Sequence, residues 1–176
     1  DHAGAIADED GIDAFDLTDW VQENGSVKGY PNADWIEPSD LWSVNVDILI
    51  PAALENQITA DNANDIKAKV VVEAANGPTT LEAEEILSEK SVDVLPDILV
   101  NAGGVIVSYF EWLQNRSAQR WDLDDVDYRL REILWAAADS VVALQKDQES
   151  SSRRDAAYAV ALQRLKTVYN QRGIFP

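Results

Sequence analysis

Apolar positions along this chain fall into two kinds of run. Short, nearly continuous stretches occur at residues 46–51 (VDILIP), 70–73 and 92–95, with a fourth, residues 98–100, just beyond Pro96. Compact runs of this kind, bounded by small or turn-forming residues, mark strands covered by helices on both faces. Elsewhere the apolar positions recur at helical spacing. Leu17, Trp20 and Val21 share a face of a helix over residues 16–23 that Asn24-Gly25 ends, and Val105, Tyr109, Trp112 and Leu113 share another after Gly104. Thr79 followed by Glu82 has the spacing of a capping box and predicts a helix over residues 80–89. Two longer helices are predicted over residues 124–145 (Val126, Leu130, Ile133, Leu134, Ala137, Val141, Leu144) and 153–171 (Ala157, Val160, Ala161, Leu165, Val168), separated by a polar break from Asp147 to Ser152.

The first forty residues are less patterned. Asp8-Glu9-Asp10-Gly11 reads as a turn, Gly29-Tyr30-Pro31 as a loop, and Pro38 to Trp42 as the start of a brief helical turn. From residue 46 onward, strand and helix alternate at intervals that suit a parallel sheet with right-handed crossovers. The fold class is therefore α/β, an open parallel sheet followed by C-terminal helices. Residues 1–115 form the sheet domain and residues 116–176 a helical segment packing on it. Ligands of such sheets collect at the carboxyl ends of the strands. Three of the expected ends consist of small or amide residues: Ala52-Ala53, Asn76-Gly77 and Asn101-Ala102-Gly103-Gly104. They should line one edge. The last is read as strand 98–100 delivering the chain into a helix, whose unpaired N–H groups and positive dipole end would face a ligand. Gly104, Val105 and Ser108 share the N-terminal face of that helix. Taken by itself, a helical serine more often bonds back to the preceding turn.

Composition removes several chemistries. There is no cysteine, and His2 is the single histidine, so a zinc site and a histidine-based triad are both disfavoured. No apolar run approaches the ~20 residues of a membrane helix, so a soluble, cytoplasmic protein without a membrane partner is expected. The formal charge is −18, with 23 acids against 4 bases in residues 1–115 and 9 against 10 thereafter. Such a surface repels nucleic acid and suits a salt-rich cytoplasm, where counterions screen the self-repulsion. It also opposes an anionic dinucleotide, so backbone donors would have to supply the binding. Methionine is absent, and the chain opens on Asp1 without a signal segment, which reads as a fragment.

The motifs NAGGVIVSYFEWLQN (residues 101–115), DILIPAALENQIT (47–59) and EAANGPTT (73–80) together resemble the nucleotide-binding domain of the glutamate dehydrogenase family, which includes leucine, phenylalanine and valine dehydrogenases. The similarity runs over nearly the whole chain. It implies a Rossmann-like fold, here partial, because none of the eight glycines forms G-x-G-x-x-G and the pyrophosphate turn should precede Asp1. It implies NAD or NADP as cofactor, L-glutamate and 2-oxoglutarate as substrates, and a homo-oligomer, commonly a hexamer.

By this resemblance Asn76 and Asn101 approach the nicotinamide and its ribose, Ala52 and Ala53 pass beside the cofactor, and Gly103 and Gly104 leave room for it. Val105 and Ser108 contact the amino acid, the serine hydroxyl bonding its side-chain carboxylate. Asp1 matches an acidic residue that favours a free ribose 2′-hydroxyl. Oxidative deamination also needs a lysine and a carboxylate to assist water attack on an imine. No lysine here matches that motif, so no catalytic residue is assigned and the chain alone is expected to be inactive. Two alternatives stand beside this one: a branched-chain or aromatic amino acid dehydrogenase, and a non-catalytic nucleotide-binding or assembly module.

Overall fold

The computed structural model describes residues 1–147 and 152–173. The backbone divides into two compact units, residues 1–46 with 65–67, and residues 47–64 with 68–176.

In the first unit, β1 (Ala5–Ala7) pairs antiparallel with β2 (Asp34–Ile36), and α1 (Ala14–Asn24) lies between them in sequence. Asp13 caps α1 by accepting from the N–H groups of Phe15 and Asp16, and Gly25 ends it at φ 77°, a left-handed conformation that glycine adopts without steric cost. The side chain of Trp20 meets Tyr30 edge to face with ring centres 6.1 Å apart, and its indole N–H donates to the Ser26 carbonyl. The β1–β2 pair is not evident from sequence, because three-residue strands are too short to display alternation. The brief turn after Pro38 is present as a 3₁₀ helix, Pro38–Ser43.

The Tyr30 hydroxyl donates to the Asp16 carboxylate at 2.8 Å. That bond, together with burial, raises the Tyr30 pKa above its ordinary value of 10.0. A tyrosine whose folded pKa is raised stabilises the fold fully below the unfolded pKa and ceases to do so as pH climbs through the folded one. Absorbance titration at 295 nm should therefore find one tyrosine ionising later than the rest. That late step should vanish in Tyr30→Phe and move to lower pH in Asp16→Asn.

In the second unit, β3 (Ile48–Leu49), β4 (Val70–Val72) and β5 (Asp93–Leu95) form a parallel sheet in the order β3-β4-β5. The crossover α2 (Leu81–Glu89) buries Ala83 and Leu87, and Val71 and Val94 lie buried within the sheet. Its cap is Thr80, which accepts from Ala83 N, rather than Thr79. Thr79 is withdrawn by a parallel bridge to Ile58 that buries it.

A larger correction concerns residues 98–100. They are not a strand: Asp97–Val100 is one helical turn, α3. Pro96 sets the turn's entry at φ −72°, and its carbonyl accepts from the N–H groups of Leu99 and Val100. Ile98 and Leu99 then pack against the cluster of Val141, Ala156 and Ala157. A three-residue apolar run carries no periodicity to tell strand from helix, so packing decides.

The remaining helices are α4 (Gly103–Ser117), α5 (Leu123–Asp147) and α6 (Arg153–Arg172). Asp122 caps α5 through Asp125 N, and a reciprocal Ser152–Asp155 capping box opens α6. The central residues of the polar break, 148–151, lie outside the described residues. No helix among the described residues is long and apolar enough to cross a membrane.

Candidate functional site

The carboxyl edge of the β3-β4-β5 sheet is built by loops that hydrogen-bond to one another. The Pro51 carbonyl, just beyond β3, accepts from Ala74 N and Ala75 N just beyond β4, at 3.1 and 3.0 Å. The Gly77 carbonyl accepts from Asn56 N, and the Pro78 carbonyl from Gln57 N and Ile58 N. Ala52, Ala53 and Asn76 are thereby presented to solvent on adjacent turns. Gly77 takes φ 53°, a left-handed backbone that suits glycine, and Asn56, whose N–H donates to its carbonyl, takes φ 52°.

The third segment joins them although it leaves α3 rather than a strand. Asn101 Nδ2 donates to Asn76 Oδ1 at 2.6 Å, so the two amides expected near a nicotinamide stand in contact. A pair bonded this way has spent one donor group and one acceptor. Among the described residues nothing engages the Asn76 amide nitrogen or the Asn101 side-chain oxygen, leaving a donor and an acceptor side by side. That is the complement of a carboxamide or of ribose hydroxyls.

Gly103 and Gly104 open α4 beside the pair, and a β-carbon built on either would meet nothing within 4 Å. Neither backbone strain nor crowding by a neighbouring group requires glycine there, and the start of the helix is left open. The consequence is a separation of effects. Gly104→Ala should leave the fold intact or stabilise it by up to about 1 kcal/mol, while weakening cofactor binding. Thermal unfolding and a nicotinamide titration on the same sample check both halves.

Val105 and Ser108 follow on the exposed face of α4, Val105 at 70% exposure. Ser117 and Ser140 bond back to the carbonyls of Leu113 and Ala136 at 2.8 and 2.7 Å, as helical serines commonly do. No such bond from Ser108 occurs among the described residues, and the residue is exposed. Asp1 belongs to the other unit, and its carboxylate is occupied by the N–H groups of Ala3 and Val27.

Behind this edge lies a charge cluster that sequence reading missed. Glu73 closes β4 and is fully buried; Arg154, in the first turn of α6, has 12% of its side chain exposed. The guanidinium donates to both Glu73 oxygens at 2.7 and 2.8 Å, to Glu84 at 2.5 Å and to Asp97 at 3.0 Å. Burial opposes the Arg154 charge, but bonds to Glu84 and Glu73 outweigh it and push the pKa above its ordinary value. Asp97 in turn accepts from Gly77 N at 2.8 Å through its second oxygen. Two signals were available in the sequence. A glutamate directly after three valines of a buried strand requires a cation, and an arginine in the first turn of a helix opposes the helix dipole unless carboxylates meet it.

The parallel sheet, its helical crossover and a strand-end edge of paired asparagines and open glycines define a Rossmann-like α/β protein. The chain belongs to the Glutamate/Leucine/Phenylalanine/Valine dehydrogenase family, whose model matches residues 1–173. It is 46% identical to glutamate dehydrogenase A2 of Halobacterium salinarum and 45% identical to the NADP-specific glutamate dehydrogenase A1 of the same organism. In each case the whole of this chain aligns with 42% of the relative. The crystal structure of the hetero-hexameric glutamate dehydrogenase from Thermus thermophilus superposes with a TM-score of 0.88 at 29% identity, over 98% of this chain and 40% of that one. The chain thus spans about two fifths of the length of the relatives it matches.

Proposed function

We propose that this chain is the cofactor-binding part of an NAD(P)-dependent glutamate dehydrogenase, interconverting L-glutamate with 2-oxoglutarate and ammonia. The observation that carries this reading is the Asn76–Asn101 contact at the sheet edge, with the unengaged Ser108 hydroxyl on the helix that follows. When bound, the nicotinamide would supply the hydride acceptor and donor of the reaction. The chain's own contribution is binding and orientation. Asn76 donates to, and Asn101 accepts from, the carboxamide or ribose hydroxyls. Ala52 and Ala53 present only methyl groups and let the cofactor approach the backbone. Gly103 and Gly104 admit the ring, Val105 packs against the amino acid, and Ser108 donates to its side-chain carboxylate.

No residue of this chain is proposed to move a proton. Residues 1–176 alone should be inactive, the lysine and carboxylate for the hydrolytic step lying in the remainder of the relatives' length. The assembly is proposed to be a homo-oligomer, most simply a hexamer. The test is glutamate oxidation by the complete protein with NAD and with NADP in concentrated potassium chloride, beside residues 1–176 alone. Absence of activity with both cofactors sinks the reading.

Salt belongs in that assay for a physical reason. At a net charge of −18 the native surface repels itself, and the screening length falls from about 10 Å at 0.1 M salt to about 3 Å at 1 M. The urea midpoint should rise steadily with potassium chloride. A midpoint independent of salt would count against a halophilic origin.

A further inference from the structure

We propose that Asp97, held by Arg154, is the positioning residue of the nicotinamide edge. The inference rests on the function proposed above and deepens it. One asparagine of the edge and the residue following the other are both bonded to Asp97. The Asp97 carbonyl accepts from Asn101 N at 2.9 Å, and its Oδ2 accepts from Gly77 N at 2.8 Å, the residue directly after Asn76. The first bond belongs to the helical turn of α3. The second spans twenty residues and crosses from α3 to the turn after β4.

Asp97 is itself fixed from three sides. Its N–H donates to Glu73 Oε2 at 2.9 Å, Ile98 N donates to its Oδ1, and Arg154 donates to the same oxygen at 3.0 Å. A cluster serving stability alone would need Arg154 to neutralise the buried Glu73. It would not need a carboxylate divided between the guanidinium and the N–H of a left-handed glycine. Glycine has no side chain to restrict its backbone, so an anchor on Gly77 N constrains the turn that brings Asn76 to Asn101. The arrangement makes α6, through Arg154, a determinant of cofactor geometry although it contributes no residue to the edge.

The test uses the complete protein carrying Asp97→Asn. The amide can serve either Arg154 or Gly77 N with its one oxygen, but not both in the native pattern. The matched control is Leu87→Val, which loosens the packing of α2 at the start of β5, at the opposite end of the sheet from the carboxyl edge. Losing a hydrogen bond to a charged acceptor at the anchor should lower kcat/KM for the cofactor about tenfold or more. The KM for glutamate should change less than about twofold. Amide exchange at Gly77 and Asn101 should accelerate in Asp97→Asn and not in Leu87→Val.

Kinetics and exchange in Asp97→Asn equal to those of the control would overturn the proposal and leave Asp97 purely structural. Should Asp97→Asn not fold, Asp97→Glu decides: it keeps a charge for Arg154 but displaces the carboxylate from Gly77 N. The same selective loss at the cofactor supports the proposal, and wild-type kinetics overturn it. An inactive wild-type protein would defeat the proposed function instead, and the exchange comparison still decides whether Asp97 anchors the edge.

Discussion

Arg154→Met should destabilise the unit that holds the sheet by about 3–5 kcal/mol, the range seen when one partner of a buried ion pair is removed. The guanidinium is the cation that meets Glu73, Glu84 and Asp97, and Glu73 is fully buried at the end of β4. Without it a carboxylate remains in the interior with two others close by, and the cost of that uncompensated charge is what the variant measures. Arg154→Lys should fall between, because one ammonium cannot reproduce a planar fork that serves three acceptors at once. The contrast is Arg131→Ala, which breaks a half-exposed pair with Asp127 and should cost no more than about 0.5 kcal/mol. Adding Glu73→Gln to Arg154→Met should recover part of the loss, since the burden is the orphaned charge and not the missing contact. Urea unfolding followed by circular dichroism reads all four variants. An Arg154→Met protein within about 1 kcal/mol of the wild type would show that the buried carboxylates find other compensation.

The same cluster marks where sequence reading stops. The strands within residues 46–51, 70–73 and 92–95 were legible as aliphatic runs that end in small residues, although the first is confined to Ile48–Leu49 and leaves Ile48 and Ile50 exposed instead of covered on both faces. The helices were legible because their apolar periods are long. The amides and glycines of the edge stand out in the sequence, and the roles proposed for them come from the resemblance. Arg154 was not legible, because Glu73, Glu84 and Asp97 lie 81, 70 and 57 residues away in sequence and no local pattern connects them. Residues 98–100 are too short a run to tell strand from helix; the sheet ends with β5, and the apolar pair Ile98-Leu99 packs beneath α5 and α6. Asn101 nevertheless meets Asn76, because the turn of α3 brings it there.

Ser108→Ala in the complete protein should raise the KM for glutamate about 10- to 100-fold while the KM for the cofactor stays near its wild-type value. A hydrogen bond to a charged group contributes about 1.5–3 kcal/mol, and each 1.4 kcal/mol is a factor of ten. Among the described residues the serine hydroxyl makes no bond whose loss would confuse the result, and an alanine suits the helix at least as well. Ser117→Ala is the control from the same helix. Its hydroxyl bonds back to the Leu113 carbonyl, so its removal should leave both constants unchanged. Comparing amino acids then tests the specificity the serine implies. A leucine side chain offers no carboxylate, so whatever leucine turnover exists should be indifferent to Ser108→Ala. Glutamate KM unchanged in Ser108→Ala would remove the serine from the substrate contacts. A wild-type enzyme preferring leucine would move the protein to the branched-chain branch of its family, with the asparagine pair still serving the cofactor.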